Sequence, residues 1–147
     1  MNKSDISNNL KLEKQLCFRL YNLNKKMNRL YSPVLKKLSL TYPQYLVMLV
    51  LWNSPEAVSI KRVGEQLDLD TGTLSPLLKR MEVQGLIKRC RNSSDERSVE
   101  VQLTVKGINL KEKAQDIPEK MFCLTGFTPE QLKTLNQELD LLLENIS

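Results

Sequence analysis

Residues Ser59–Leu103 read SIKRVGEQLDLDTGTLSPLLKRMEVQGLIKRCRNSSDERSVEVQL. Ser59 is placed to cap a short helix with Ile60, Val63 and Leu67 on one face. Asp68-Leu69-Asp70 turns the chain, and Asp70 or Thr71 caps a longer helix with Leu74, Leu77, Leu78 and Met81 inward. Gly85 ends that helix. Leu86–Arg91 then reads as a strand and 92–97 as a polar loop. Val99, Val101 and Leu103 alternate with Glu100 and Gln102, the pattern of a half-exposed strand. Two short helices followed by a two-stranded hairpin make a winged helix-turn-helix.

Helices are expected on either side. Leu16, Leu20, Leu23, Met27, Leu30 and Val34 form a heptad-like seam, which Pro33 should stop or kink near Ser32. A second helix starts near Pro43 and carries the apolar run Tyr45–Trp52, which marks it as buried and central. After the hairpin, Thr104 caps a helix through Lys106–Lys120, with a kink at Pro118. Thr128-Pro129-Glu130-Gln131 opens a last helix in which Leu132, Leu135, Leu139, Leu142 and Ile146 repeat. The two terminal seams either pack on each other in one chain or build a dimer; flanking a helix-turn-helix, they more often do the second.

The 147 residues fit one domain, and 41% hydrophobic with 27% charged residues suits a folded chain. Five glycines and six prolines are too few for an all-β chain built on many turns. No apolar run approaches the ~20 residues of a membrane span, and Met1–Leu10 lacks the core of a signal peptide, so a cytoplasmic protein is expected. The absence of histidine removes His-based acid–base chemistry, Ser-His and Cys-His nucleophiles and most zinc sites. No metal or cofactor is expected. Cys17, Cys90 and Cys123 are too far apart for a CxxC motif and read as free thiols. Residues 1–58 carry nine Lys/Arg against three Asp/Glu, whereas residues 107–147 carry four against seven. Such a polarised, net +5 chain is compatible with a polyanionic partner.

The longer helix supplies the means to bind DNA. Its buried leucines leave Thr71, Thr73, Ser75, Lys79 and Arg80 pointing outward. Small hydroxyls near the N-terminus allow close approach to base edges, and the helix dipole favours phosphate. Arg80 has the forked donors that suit guanine or phosphate, and Lys79 is a point charge for phosphate. Pro76, without an amide hydrogen, belongs in the first turn or so, where it offers an apolar contact to a thymine methyl. Lys88, Arg89 and Arg91 make the first wing strand basic. A capped amphipathic helix beside a solvated hairpin is the plainer reading of the same residues.

This order of elements resembles the MarR family of winged-helix regulators. Asp95-Glu96-Arg97-Ser98 followed by Leu103-Thr104-Val105-Lys106-Gly107 is similar to its wing signature, D-x-R then L-T-x-x-G. Within the family, Leu16-Cys17-Phe18, Leu40–Leu46 and Leu67–Glu82 resemble the organic hydroperoxide regulators and their staphylococcal oxidation-sensing relatives. The resemblance implies a mainly α fold with a small β-hairpin wing. It makes residues 1–147 a single domain, with dimerisation helices at 10–38 and 104–146 and a DNA-binding lobe at 43–103. It implies a thiol-based repressor that binds double-stranded operator DNA as a homodimer. Arg97 enters the minor groove, braced by Asp95, and Asp70 either touches DNA or only caps its helix. An organic hydroperoxide or other oxidant is the signal and Cys17 the sensor, its thiolate stabilised by hydrogen bonds from Tyr31 and Tyr42. Cys17 and Tyr31 stand about 21 Å apart along one helix, so the contact must cross the dimer interface. The resemblance implies that Cys123 of the other subunit, or a low-molecular-weight thiol, resolves the oxidised sensor; inert packing of Cys123 is nearly as good a reading. Cys90 reads as structural or incidental. A ligand-gated repressor responding to phenolic compounds is the alternative, and a thiol peroxidase a weaker one, because no reductant pathway or peroxide-positioning motif is visible.

Overall fold

The computed structural model describes residues 11–91 and 99–146, which fall into two compact units, residues 1–113 and 114–147. In the first unit a single 3-10 turn at Leu12–Lys14 precedes α1 (Leu16–Lys36). Contrary to the expected stop near Ser32, α1 continues past Pro33 for one more turn. A proline inside a helix costs about 3 kcal/mol. Burial of Leu35, only 1% exposed, returns about 1.5–3 kcal/mol and anchors that turn. The chain then reverses through Ser39, whose φ of 56° is left-handed.

Helix α2 (Tyr42–Trp52) begins with a capping interaction: the Thr41 N–H donates to Gln44 Oε1 at 2.9 Å. It is apolar nearly all round and buries Tyr45, Val47, Met48, Leu51 and Trp52, as its sequence predicts. Around it stand β1 (Val58–Ser59), α3 (Ile60–Leu67), α4 (Thr71–Val83), β2 (Ile87–Arg91), β3 (Val99–Leu103) and α5 (Val105–Ala114). The Ser59 hydroxyl accepts from Arg62 N–H at 3.2 Å and starts α3, while Asp68 ends it in left-handed backbone (φ 51°). Leu74, Leu77, Leu78 and Met81 of α4 are all buried, and Gly85 (φ 71°) closes the helix, with Leu86 N–H donating back to Met81 C=O at 3.0 Å.

The sheet has three antiparallel strands, ordered β1-β3-β2, and not the expected two. Ile87 pairs with Leu103 and Arg91 with Val99, and β1 adds Val58 opposite Val101. A two-residue strand leaves no alternation to read. Behind the sheet, the Thr104 hydroxyl donates to Gly85 C=O at 2.6 Å and accepts from Gly107 N–H at 3.1 Å, starting α5. A side chain at Gly107 would run into the Leu86 carbonyl oxygen, and the Gly107 C=O takes the indole N–H of Trp52 at 2.9 Å. The expected continuous helix to Lys120 is instead two: α5 stops at Ala114 and α6 (Ile117–Thr125) restarts. Pro118 sits in the first turn of α6, where its missing N–H has no helical partner to lose.

In the second unit α6 ends at Gly126 (φ 69°). A reciprocal capping pair then opens α7 (Pro129–Ile146): Thr128 N–H donates to Gln131 Oε1 at 2.9 Å, and Gln131 N–H to Thr128 Oγ1 at 3.3 Å. No residue of α7 is buried; Leu132, Leu135, Leu139 and Leu142 are half-covered and Ile146 is exposed. Leu16 and Leu23 on α1 are likewise exposed, at 54% and 47%. Among the described residues no helix is long and apolar enough to cross a membrane.

Candidate DNA interface and thiol site

Asp70 holds the start of α4 with both carboxylate oxygens: Oδ1 accepts Thr73 N–H at 2.8 Å and Oδ2 accepts the Thr73 hydroxyl at 2.9 Å. Those bonds, the backbone one first, keep the Asp70 carboxyl below its ordinary range. Thr71, Thr73, Pro76, Lys79 and Arg80 are exposed and Ser75 is half-buried. Thr73 therefore spends its hydroxyl proton on Asp70. Pro76 is the sixth residue of α4, just past the first turn, so the Gly72 carbonyl receives no amide from it.

The wing is tied to this helix at its base. Glu82 Oε2 accepts from Arg89 Nε at 2.8 Å and Nη2 at 2.6 Å, and Oε1 accepts the Arg89 N–H at 3.2 Å. The guanidinium bonds first, then the amide, hold the Glu82 carboxyl below its ordinary range. Of the strand's cations, Arg89 is thus already engaged, while Lys88 and Arg91 are exposed. The sequence signal for this clasp is a pair of opposite charges seven residues apart across a helix-ending glycine. Asp95 and Arg97 lie outside the described residues.

Cys17 is the second residue of α1 and exposed; Cys123, on α6, is exposed, and Cys90, on β2, is half-buried. The structure contains no disulfide among them. Tyr31, near the other end of α1, packs its ring 4.9 Å from that of Tyr42 and 6.0 Å from that of Tyr45. Burial, then the neighbouring phenol of Tyr42, raises the Tyr31 hydroxyl above its ordinary value; burial, then Tyr31 and Tyr42, does the same for Tyr45. The structure therefore brings Tyr31 and Tyr42 together and adds Tyr45, which in sequence is only part of the apolar core run. Because α1 is unbroken from Leu16 to Lys36, Cys17 and Tyr31 of one chain are held about 21 Å apart.

The family model for transcriptional regulators of the SarA/Rot type matches residues 29–117. The chain is 53% identical over 137 residues to the organic hydroperoxide resistance transcriptional regulator of Bacillus subtilis, covering 93% of this chain and 92% of that one. It is similar to the structure of reduced AbfR bound to DNA, with a TM-score of 0.78 and 32% identity, covering 95% of this chain and 97% of that one, and to disulfide-formed AbfR, with a TM-score of 0.64 and 33% identity, covering 97% of this chain and 99% of that one. A cysteine-to-serine mutant of MarR from E. coli, complexed with operator DNA, aligns with a TM-score of 0.77 at 26% identity, covering 85% of this chain and 91% of that one. These relatives are transcriptional regulators, and the chain belongs with them to the SarA/Rot and MarR-type winged-helix family.

Proposed function

We propose that the protein is a thiol-based, oxidation-sensing transcriptional repressor. It binds operator DNA as a homodimer and releases it when Cys17 is oxidised. The observation that carries this reading is the unbroken α1, which has an exposed thiol near one end and the tyrosine cluster near the other. Only a second copy can bring Tyr31 and Tyr42 to Cys17. Leu16 and Leu23 of α1 are exposed and the leucine stripe of α7 is half-covered, and each is apolar surface of the kind a second copy covers.

In the proposed reaction the Cys17 thiolate attacks the terminal peroxide oxygen, the O–O bond breaks with its electron pair going to the departing alkoxide, and that alkoxide takes up a proton equivalent to the one the thiol released on ionising, leaving an alcohol and a sulfenic acid. A thiol then displaces water from the sulfenic sulfur and forms a disulfide. We assign that thiol to Cys123 of the partner, with a small cellular thiol as the substitute where Cys123 is absent. Bases and phosphates are met by Thr71, Thr73, Ser75, Pro76, Lys79 and Arg80, by Arg91 at the wing, and by Arg97 steadied by Asp95. Asp70 and Arg89 support this surface from the cap and from the base of the wing.

Mass spectrometry of hydroperoxide-treated protein, paired with an operator-binding assay, tests the reading. Cys17→Ser should bind operator as the unsubstituted protein does and ignore peroxide. Cys123→Ser should lose the dimer-sized band on non-reducing gels and leave Cys17 overoxidised or capped by added thiol. A Cys17→Ser protein still released by peroxide removes Cys17 as sensor, and a persisting band in Cys123→Ser moves the resolving role to Cys90. A second reading, gating by a phenolic compound, is favoured by a groove of about 720 Å³ beside α4. Release of the Cys17→Ser protein from DNA by such a compound would support it.

A further inference from the structure

Gln44 is 4% exposed, a polar side chain within the core, and one of its two hydrogen bonds leads to another helix. Its Oε1 accepts the Thr41 N–H at 2.9 Å, and its Nε2 donates to Gln84 Oε1 at 3.0 Å. Gln84 Nε2 donates onward to the Ser39 carbonyl at 3.3 Å. Gln84 is also the residue that ends α4, its own N–H donating to Arg80 C=O at 3.0 Å. The two amides thus tie the turn between α1 and α2 to the last turn of the recognition helix.

A groove adjoins those bonds. The 720 Å³ groove opens between the same elements, with Leu40, Thr41 and Gln44 on one wall and Lys79, Val83 and Gln84 on the other. The amide pair bridges it. A buried amide with both ends engaged tolerates little displacement, because a broken bond leaves desolvated polar atoms without partners. None of the buried side-chain nitrogen and oxygen atoms among the described residues lacks one. The other end of the tie is the tyrosine cluster. Tyr42 and Tyr45 flank Gln44 in the first turn of α2, and Tyr45 N–H donates to Thr41 C=O at 2.9 Å. The residue bonded to Gln84 thus lies in the same helical turn as two of the three tyrosines.

We infer that Gln44 and Gln84 are positioning residues that carry the state of the tyrosine cluster to the recognition helix. The inference rests on the thiol-switch reading above. Operator Kd should be measured for reduced and peroxide-treated protein, in the unsubstituted chain, in Gln84→Met and in Gln84→Glu. The readout is the oxidised-to-reduced ratio, with the rate of Cys17 consumption followed by mass spectrometry. Gln84→Met should lower that ratio by about threefold or more at an unchanged rate of Cys17 oxidation. Gln84→Glu, which still accepts from Gln44, should keep most of the ratio. A responsive unsubstituted protein with an equally responsive Gln84→Met overturns the inference alone. An unsubstituted protein that keeps its affinity after peroxide overturns the thiol switch and the inference with it. Hydrogen exchange on the unsubstituted protein gives a check free of folding defects: peroxide should speed exchange in residues 41–45 and 80–86 together. Change in the first segment without the second overturns the inference.

Discussion

Gly107 shows how a single position can be dictated from a distance. It is caught between the Leu86 carbonyl, which excludes any Cβ, and the Trp52 indole, which uses its C=O. Gly107→Ala should lower the unfolding free energy by about 1–3 kcal/mol, read from the urea midpoint at constant m-value. In sequence this glycine was legible only as part of a family signature, because the carbonyl that crowds it belongs to a residue on the other side of the wing. The tyrosines give a second residue-scale expectation. Tyr31 and Tyr45 have hydroxyls raised above the ordinary 10.0, so the folded state keeps protons that the unfolded state loses. Their contribution is complete below pH 10 and is lost as pH rises through the folded values. Absorbance titration at alkaline pH should show Tyr31 and Tyr45 ionising late, in step with unfolding.

Between elements, α4 was the most legible because its buried leucines, its Asp70 cap and its Gly85 stop all agree with one another. What the sequence hid were the ties between elements. The Glu82–Arg89 clasp and the Gln44–Gln84 bridge join residues seven and forty positions apart, and no local periodicity reports such pairs. Pro33 misled for a related reason: local backbone preference favours a break there, and burial of Leu35 overrides it. On the exposed side of α4 two cations should behave differently. Arg80→Ala should cost about 1–3 kcal/mol of operator binding and relax base preference. Lys79→Ala should weaken specific and random DNA alike and reduce the salt slope by about one. Equal losses on both duplexes for Arg80→Ala would make it a phosphate contact only.

At the level of the whole molecule, α7 carries a leucine stripe that its own chain leaves half-covered. Sedimentation should find a dimer at micromolar concentration, and Leu139→Glu should give monomers with weakened operator binding. A Leu139→Glu protein that remains dimeric would place the interface elsewhere. The sheet has another consequence. Strand β2 is one of its edges, and an edge strand offers unpaired backbone groups to any passing chain. Here that edge is lined by Lys88, Arg89 and Arg91, the first and last of them free to repel a second wing. Cations on an edge strand oppose its pairing with another chain, and such repulsion acts all the time, whether or not an operator is near. A triple change of Lys88, Arg89 and Arg91 to threonine should thus show its first defect as turbidity on concentrating the DNA-free protein, with lost binding a second and separate effect.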